Sequence, residues 1–273
     1  MALATGTIVV ACPGSGFAGE PLRGLFAVDP TSGQQRTLAQ GGMLVEPWNV
    51  VVLADGRLLV ADASAFGTGG LIAVDPDNGQ QTKVASSPVF HRPFGLAVRS
   101  DGQVVVAYTL RPGDFGIVAR VNPANGEHFG VAPTFQFVQP FAVAVDAADN
   151  VIVTDPGQFL GESRLIRIDA GVGASIRHDG GGAFTGVAVE PSGNLVVTSD
   201  VPGNQKLLRF DPADGPPTVV SENLFGLPGG VAVEASGAIL VSNSSGVTRV
   251  NPANGAQSLV ARMRGAMGLA VRR

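Results

Sequence analysis

The sequence has few of the features that mark several common classes of protein. It holds one cysteine, Cys12, in 273 residues, which excludes an internal disulfide and any zinc site built from several cysteines. This cysteine is therefore either a small buried hydrophobe or a reactive thiol. Charged residues make up only 15% of the chain, the net charge is −4, and Lys and Arg form no cluster. Because binding to a phosphate backbone needs a positive stripe, nucleic acid is not expected as a partner.

Long apolar runs are also missing. No stretch approaches the roughly 18 apolar residues that a membrane-spanning helix needs. The amino-terminal segment lacks the basic region of a secretion signal, and its apolar run TIVVA is short enough to be a strand. We therefore expect a protein with no membrane span, located in the cytoplasm.

Glycine and proline are abundant, and a short motif containing them recurs about every 45 residues. It combines a proline or small residue, a variable residue, a small residue and then an aliphatic-Ala-Val run. Its copies are PWNVVV (47–52), PFGLAV (93–98), PFAVAV (140–145), FTGVAV (184–189), PGGVAV (228–233) and AMGLAV (266–271).

Each of the first five copies begins a unit that predicts four antiparallel strands. A polar turn such as SDGQ follows the motif, and a second β-rich run such as VVVAY comes next, which is typical of a tight hairpin. A third strand then ends in an Asx-Pro-x-x-Gly turn, as in IVARVNPANG, and a fourth strand closes the unit. Units of this length and composition are typical of β-propeller blades.

The two ends of the chain predict a blade that they build together. The last copy is followed by no further strands, whereas the chain begins with the sequences expected of second, third and fourth strands, TGTIVVAC, GLFAVDPTSG and QQRTLAQ. Residues 1–273 are therefore expected to form one all-β domain, a six-bladed propeller whose ring is closed by the C-terminal strand.

The two ends of such a propeller are expected to differ. The turns joining strands one to two and three to four are short and regular, so their carboxylates are interpreted as turn-formers: Asp55, Asp75, Asp101, Asp169 and Asp211. The loops joining strands two to three vary widely, from ASAFGTGG (63–70) to SSG (244–246). Because ligand-facing loops vary while a scaffold stays regular, we expect any functional site at this loop-bearing end.

Ionisable groups at the loop-bearing end are candidates for acid–base catalysis: Asp62, His91, Tyr108, Asp155 and Asp200. A histidine there is a candidate base, and a phenol can hydrogen-bond a carbonyl or shuttle a proton. The alternative interpretation is structural. An Asp that ends a strand before a loop often accepts backbone N–H bonds, and Tyr108 fits an ordinary rim residue.

An aromatic set at the same end predicts a small apolar binding pocket. The candidate substrate-binding residues are Trp48, Asn49, Phe94, Phe141, Phe66, Phe115, Phe159, Arg92 and Asn243. The aromatic rings also have a structural interpretation, because those on the first strands could cap the core between blades and those in the loops could anchor them.

The segments GLAVRSDGQVVVAY (95–108) and VAVDAADNVIVTD (143–155) resemble the blades of NHL-repeat propellers, and the resemblance extends over all six blades. Six-bladed relatives include protein-interaction modules, lactonases of the gluconolactonase and paraoxonase type, streptogramin lyase and strictosidine-synthase-like enzymes. The resemblance therefore implies a fold and a range of activities.

The lactonase resemblance implies a calcium ion held by Glu and Asn or Asp at the starts of first strands. Glu46 and Asn49 stand at such positions in EPWN. The equivalent pairs in other blades carry no carboxylate or amide: Phe94-Gly95, Phe141-Ala142, Thr185-Gly186, Gly229-Gly230 and Met267-Gly268. No cofactor is therefore expected, and calcium is a candidate whose ligand set is mostly missing. The streptogramin-lyase resemblance implies a histidine on this face, where His91 and His178 are the candidates.

Two hypotheses for function follow. The first is an enzyme or binding protein for a mostly apolar small organic molecule, with ester, lactone or lyase-type acid–base chemistry at the mouth of the channel. The second is a non-catalytic propeller that uses the same aromatic rim to bind a protein partner.

Overall fold

The fold is taken from a computed structural model of the chain. It describes the following residues: 2–14, 22–86, 91–109, 115–132, 137–157, 162–169, 173–179, 182–211, 215–224 and 226–273.

Twenty-four strands account for nearly all of the regular structure in these residues. Those of the first half are β1 (Ile8–Pro13), β2 (Arg23–Val28), β3 (Gln35–Ala39), β4 (Pro47–Val52), β5 (Leu58–Asp62), β6 (Gly70–Val74), β7 (Gln81–Ala85), β8 (Leu96–Val98), β9 (Val104–Thr109), β10 (Gly116–Val121), β11 (His128–Gly130) and β12 (Ala142–Val145). Those of the second half are β13 (Val151–Asp155), β14 (Arg164–Asp169), β15 (Gly173–Asp179), β16 (Phe184–Val189), β17 (Leu195–Ser199), β18 (Lys206–Phe210), β19 (Thr218–Glu222), β20 (Pro228–Val233), β21 (Ile239–Asn243), β22 (Gly246–Val250), β23 (Gln257–Arg262) and β24 (Gly268–Val271). A single 3-10 turn, Ala65–Gly67, interrupts the loop after β5.

The strands form six antiparallel sheets of four, arranged in a ring, and the predicted six-bladed β-propeller is confirmed. Blade 1 is β24-β1-β2-β3, and blades 2 to 6 take the remaining strands four at a time in chain order. In blade 1, β24 pairs with β1 in the register Ile8 to Val271. The C-terminal strand thus lies in one sheet with the three N-terminal strands, as the sequence predicted.

The second strand of a blade is apolar on both faces because a neighbouring blade covers each face. In β9, Val104 and Val106 pack into a cluster shared with blade 2, whereas Val105 and Ala107 pack into a cluster shared with blade 4. Alternation along the strand sends these side chains to opposite sides of the sheet. Full burial of a valine side chain contributes about 1.5–3 kcal/mol, so the seams between blades hold the ring together.

The small residues of the repeated motif lie where first strands of neighbouring blades meet. A Cβ atom added at Gly268 would lie 2.5 Å from the Cα atom of Asn49 and 2.6 Å from the carbonyl oxygen of Trp48. At Gly95 it would lie 2.7 Å from the carbonyl oxygen of Phe141. The small residues therefore admit the backbone of the next first strand.

The Asx-Pro-x-x-Gly turn also connects neighbouring blades. Gly255 has φ +70, and a Cβ atom there would lie 2.2 Å from the carbonyl oxygen of Val220 on the outermost strand of blade 5. The glycine is therefore needed both for its backbone angle and for the close approach. Within the described residues, no helix is long and apolar enough to cross a membrane.

Candidate functional site

The channel holds a small cavity at its loop-bearing end, and the repeated motifs of all six blades contribute to its lining. Its enclosed volume is about 20 Å³. All of its lining residues belong to first strands or lead into them: Trp48, Asn49, Phe94, Phe141, Ala142, Thr185, Gly230 and Met267. Since a buried water needs roughly 10–15 Å³ measured in this way, the cavity has room for about one water molecule.

Three aromatic rings at this cavity pack against one another. The ring centroids of Trp48 and Phe94 are 5.3 Å apart at an interplanar angle of 87°, an edge-to-face contact. Those of Phe94 and Phe141 are 5.1 Å apart at 27°, a stacked contact, and Trp48 meets Phe141 at 6.0 Å. The structure thus brings together the candidates that the sequence drew from three blades, and their mutual packing closes much of the channel.

The polar groups of the cavity differ in whether they have hydrogen-bond partners. The Trp48 Nε1 atom is buried and has no hydrogen-bond acceptor among the described residues. A buried N–H group without a partner costs free energy. A hydrogen-bond acceptor that reached this atom would therefore bind favourably. The Asn49 Oδ1 atom accepts the backbone N–H of Val50 at 2.7 Å.

Arg92 and His91 lie beside this aromatic set. The Arg92 guanidinium is 5.5 Å from the centre of the Phe94 ring, within cation–π range, and its backbone has φ 43. The His91 backbone exchanges two hydrogen bonds with Thr109, at 3.0 and 2.9 Å. In the described residues no carboxylate forms a hydrogen bond with the His91 ring. His178 lies on β15, where the structure describes only the backbone.

Asp62 is fully buried and caps the loops around it. Its carboxylate accepts backbone N–H groups from Val45 at 2.7 Å, Glu46 at 2.9 Å, Ser64 at 3.1 Å and Ala65 at 2.8 Å. Burial raises the pKa of Asp62, and these backbone donors oppose the rise. The arrangement favours the structural interpretation of this residue.

Asp155 has the same role in blade 4. Its two oxygens accept the backbone N–H groups of Val138 at 2.9 Å and Gln139 at 2.6 Å, and one oxygen also pairs with Arg164. The carboxylate is fully buried, so the ion pair balances its charge away from solvent.

Asn243 also accepts backbone N–H groups of a neighbouring loop, but with an uncharged amide oxygen. Its Oδ1 atom accepts the backbone N–H groups of Ser245 at 2.8 Å and Gly246 at 3.0 Å. Three of the strand-end polar groups predicted at the site therefore hold neighbouring crossovers or loops in place.

The remaining strand-end candidates differ from these caps. Asp200 is partly buried, burial raises its pKa, and its one side-chain contact is a long hydrogen bond from Gln205 at 3.4 Å. Tyr108 is 4% exposed and packs in the core between blades 2 and 3, and burial raises the pKa of its phenol. Cys12 is buried, which raises the pKa of its thiol to about 12 and makes it a small hydrophobe rather than a nucleophile.

The loop phenylalanines are separate from the cavity. Phe66 is 40% exposed, has φ 56, and places its ring 5.1 Å from the Nζ atom of Lys83 on the outermost strand β7. Phe115 is 55% exposed at the start of the third strand of blade 3. Neither residue lines the cavity. Phe159 lies outside the described residues.

Exposed large apolar side chains are distributed unevenly over the described residues. Five lie in the crossovers and loops of the loop-bearing end: Met43, Val45, Phe66, Phe115 and Leu227. The other three lie on outermost strands: Phe129, Val219 and Leu259. Among the described residues, none lies in a turn of the opposite end. Because exposed apolar side chains occur at interaction sites, this asymmetry draws attention to the loop-bearing end.

The residues present do not fit a calcium site of the lactonase type. The Glu46 Oε2 atom accepts the Ser64 hydroxyl at 2.6 Å, and Asn49 is engaged by Val50. Within the part of the chain that the structure describes, no group of three or more His, Cys, Asp or Glu side chains could hold a metal ion.

A set of hydroxyl groups around the channel was not found from the sequence. The Thr198 Oγ1 atom accepts the N–H of Gly186 at 2.7 Å and donates to the carbonyl of Gly229 in the next blade at 3.0 Å. Ser242 likewise accepts the N–H of Gly230 at 2.8 Å. The signal was present, since Thr or Ser replaces Ala one residue before the strand end in VIVTD, LVVTS and ILVSN.

The fold is that of a six-bladed β-propeller. The chain is similar to a structure of a nidogen/laminin complex, with TM-score 0.79, 11% identity and coverage of 98% of both chains. It is also similar to a protein described as a gluconolactonase, with TM-score 0.68, 19% identity and coverage of 85% of this chain and 83% of that one. At these identities the likeness extends to the fold alone. The sequence matches no protein-family profile and no curated protein.

Proposed function

We propose that this protein is a non-catalytic propeller that binds a protein partner on its loop-bearing end. The observation that carries the proposal is the concentration of exposed apolar side chains there, which include Phe115, 55% exposed, and Leu227, 47% exposed. Exposed Phe and Met side chains are enriched at protein interfaces, and Phe66, Phe115 and Met43 are of these types.

The hydrogen bonds that the candidate catalytic carboxylates already form support the same proposal. A general base must be free to reach a substrate proton, whereas Asp62 and Asp155 are fully buried and bonded to backbone N–H groups. The cavity of about 20 Å³ is also far smaller than the few hundred Å³ typical of a small-molecule site. One of the two similar structures is a complex between two proteins, which is consistent with a propeller used for binding.

The proposal is tested by quantitative affinity capture with matched variants, followed by calorimetry with the purified partner. Phe115→Ser and Leu227→Ser remove anchors from the loop-bearing end, and Phe129→Ser removes an equally large exposed side chain from an outermost strand. We expect each of the first two to weaken binding about tenfold or more, since truncating a central anchor costs at least 1–2 kcal/mol. Equal loss with Phe129→Ser, or no loss with either loop variant, would overturn the proposal.

A second candidate function is supported by the unpaired Trp48 Nε1 atom beside three aromatic rings. It is the binding or conversion of a small apolar ester or lactone at the channel mouth, with Trp48, Asn49, Phe94, Phe141 and Arg92 in contact with the ligand. His91, Tyr108 and Asp200 would then supply acid–base chemistry, with Asp62 and Asp155 as supporting carboxylates. This function predicts that apolar lactones raise the Tm of the wild type and not that of Trp48→Phe, which keeps an aromatic ring and loses the N–H donor.

A further inference from the structure

The turn-bearing end carries a repeated ion pair that was not evident from the sequence. In blades 5 and 6 an arginine on the third strand reaches an acidic residue that follows the first strand. Arg209 donates to Glu190 at 2.7 and 2.8 Å, and Arg249 donates to Glu234 at 2.7 Å from both Nε and Nη2. In blade 4, Arg167 takes the same position and lies 3.7 Å from Asp146.

Strand register explains why these partners meet. Arg209 pairs across the sheet with Val196, and Val196 pairs with Ala188, so Glu190 stands two residues farther along the first strand on the same face. A two-residue step brings the acidic side chain to the guanidinium at the edge of the sheet.

Blade 3 has the same register with a basic residue in place of the acid. Arg120 pairs with Val105, and Val105 pairs with Ala97, so the residue two farther along is Arg99. Arg99 extends toward blade 4 instead, where its Nη1 atom donates to the carbonyl of Asp149 at 3.1 Å. Arg99 therefore has a partner of its own, and the position that faces Arg120 lacks a carboxylate.

Arg120 is consequently the member of the series that faces no carboxylate. Its Nε atom is buried and has no hydrogen-bond acceptor among the described residues, which is also true of Arg99 Nε, and none of the ion pairs of that part of the chain includes Arg120. A buried guanidinium donor without an acceptor is costly, so an anion that reaches it is bound with favourable free energy. In the same blade, Arg99 Nε lies 3.6 Å from the Asp101 carboxylate.

An apolar surface adjoins this donor. Phe129 on β11 stands directly opposite Arg120 in the sheet and is 65% exposed. Directly opposite residues point to the same face, so the phenylalanine ring and the guanidinium border one surface at the seam between blades 3 and 4. The ring can cover the apolar body of a ligand whose charged group meets the arginine.

We propose that Arg120 and Phe129 form a binding site for a small organic carboxylate with an aromatic or aliphatic body. The ligand carboxylate takes the place that Glu190 and Glu234 occupy in blades 5 and 6 and accepts two parallel N–H bonds from the guanidinium. Asp101 and Asp149 hold Arg99, which keeps the neighbouring positive charge in place beside the site. This site is at the end of the propeller opposite to the proposed protein-binding surface and is independent of it.

The test measures the Tm of the wild type against sodium benzoate, sodium acetate and sodium chloride at equal ionic strength. With benzoate at about five times its Kd we expect a rise of about 2–4 °C beyond the chloride effect, and a smaller rise with acetate, which lacks a body for Phe129 to cover. Arg120→Gln should lose the benzoate rise. Arg57→Gln removes an arginine from the same end that already pairs with Asp55, and it should keep the rise.

Further measurements keep the proposal falsifiable if Arg120→Gln folds poorly. Arg120→Lys retains the charge without the planar fork and should weaken benzoate binding about tenfold. Phe129→Ser, at an exposed position, should reduce the benzoate effect to that of acetate. The proposal is overturned by a benzoate rise that survives in Arg120→Gln or is undiminished in Arg120→Lys, or by one that chloride reproduces in the wild type.

Discussion

At the scale of single residues, the structure separates polar groups that hold loops from polar groups that are free to react. Asp62 is the last residue of β5 and Asp200 follows the last residue of β17, and burial raises the pKa of both. They differ in their donors, because Asp62 accepts several backbone N–H bonds, whereas among the described residues Asp200 accepts one long side-chain bond from Gln205. A one-residue difference in position at the end of a second strand thus separates a loop cap from a loosely held carboxylate.

This difference gives a prediction for Asp200→Asn. An acid whose pKa is raised by folding binds its proton more tightly in the folded protein, so stability falls as pH rises from the ordinary pKa through the raised value. At pH 7 the substitution removes a partly desolvated charge and should raise the unfolding free energy slightly, by well under about 1 kcal/mol, because solvent screens a carboxylate that is only partly buried. Below the ordinary pKa of an aspartate the two proteins should be equally stable.

Denaturant unfolding at pH 3 and pH 7 measures this effect, and Asp62→Asn is the matched control. An amide in place of the Asp62 carboxylate turns an NH₂ group toward backbone N–H donors. The control should therefore lose about 1–3 kcal/mol at pH 7. Stabilisation of both variants, or of neither, would contradict the distinction between the two aspartates.

At the scale of elements, the turns and the small residues of the repeat act as contacts between blades. Gly255 and Gly237 both lie in turns of blade 6 with positive φ, at +70 and +85. A Cβ atom at Gly255 would collide with the Val220 carbonyl, whereas at Gly237 it would meet open space.

Comparing substitutions at Gly237 and Gly255 separates the free-energy cost of backbone strain from the cost of steric collision with the neighbouring blade. We expect Gly237→Ala to destabilise the protein by about 1–2 kcal/mol, the cost of a left-handed conformation for a residue with a Cβ atom. Gly255→Ala should cost about 1–3 kcal/mol more, because the outermost strand of blade 5 must also shift. Thermal and denaturant unfolding of the two variants measure the difference, and equal losses would show that the turn does not dock against its neighbour.

Much of the element-level structure could be predicted from the sequence because the fold is repetitive. The recurring motif placed the first strands of all six blades, and the orphan sequences at the two ends placed β24 beside β1. The convergence of Trp48, Phe94 and Phe141 followed from their equivalent positions. The capping role of Asp62 was one of the two interpretations that the sequence offered, but its donors Val45 and Glu46 could not be predicted, because they lie in a crossover 16 or 17 residues earlier whose path only the fold determines. Arg120 could not be recognised for the same reason, since its missing partner is defined by register across three strands.

At the scale of the whole molecule, the propeller has two ends of different character. One end exposes large apolar side chains around a channel closed by aromatic rings, and the other consists of regular Asx turns and arginine pairs. A closed ring has no free inner edge, so its end surfaces and its outermost strands are what it offers to a partner. The asymmetry between the ends is the reason for assigning partner binding to the loop-bearing end.

Hydrogen–deuterium exchange of the protein with and without its captured partner tests this central claim most directly. The account predicts slower exchange in the partner-bound protein at residues 43–46, 65–67 and 226–228, which lie at the loop-bearing end. Exchange at the turns 75–79 and 251–255 should be unchanged. Protection of those turns, or of the outermost strands β11, β19 and β23, without protection of the loop-bearing segments would contradict the account.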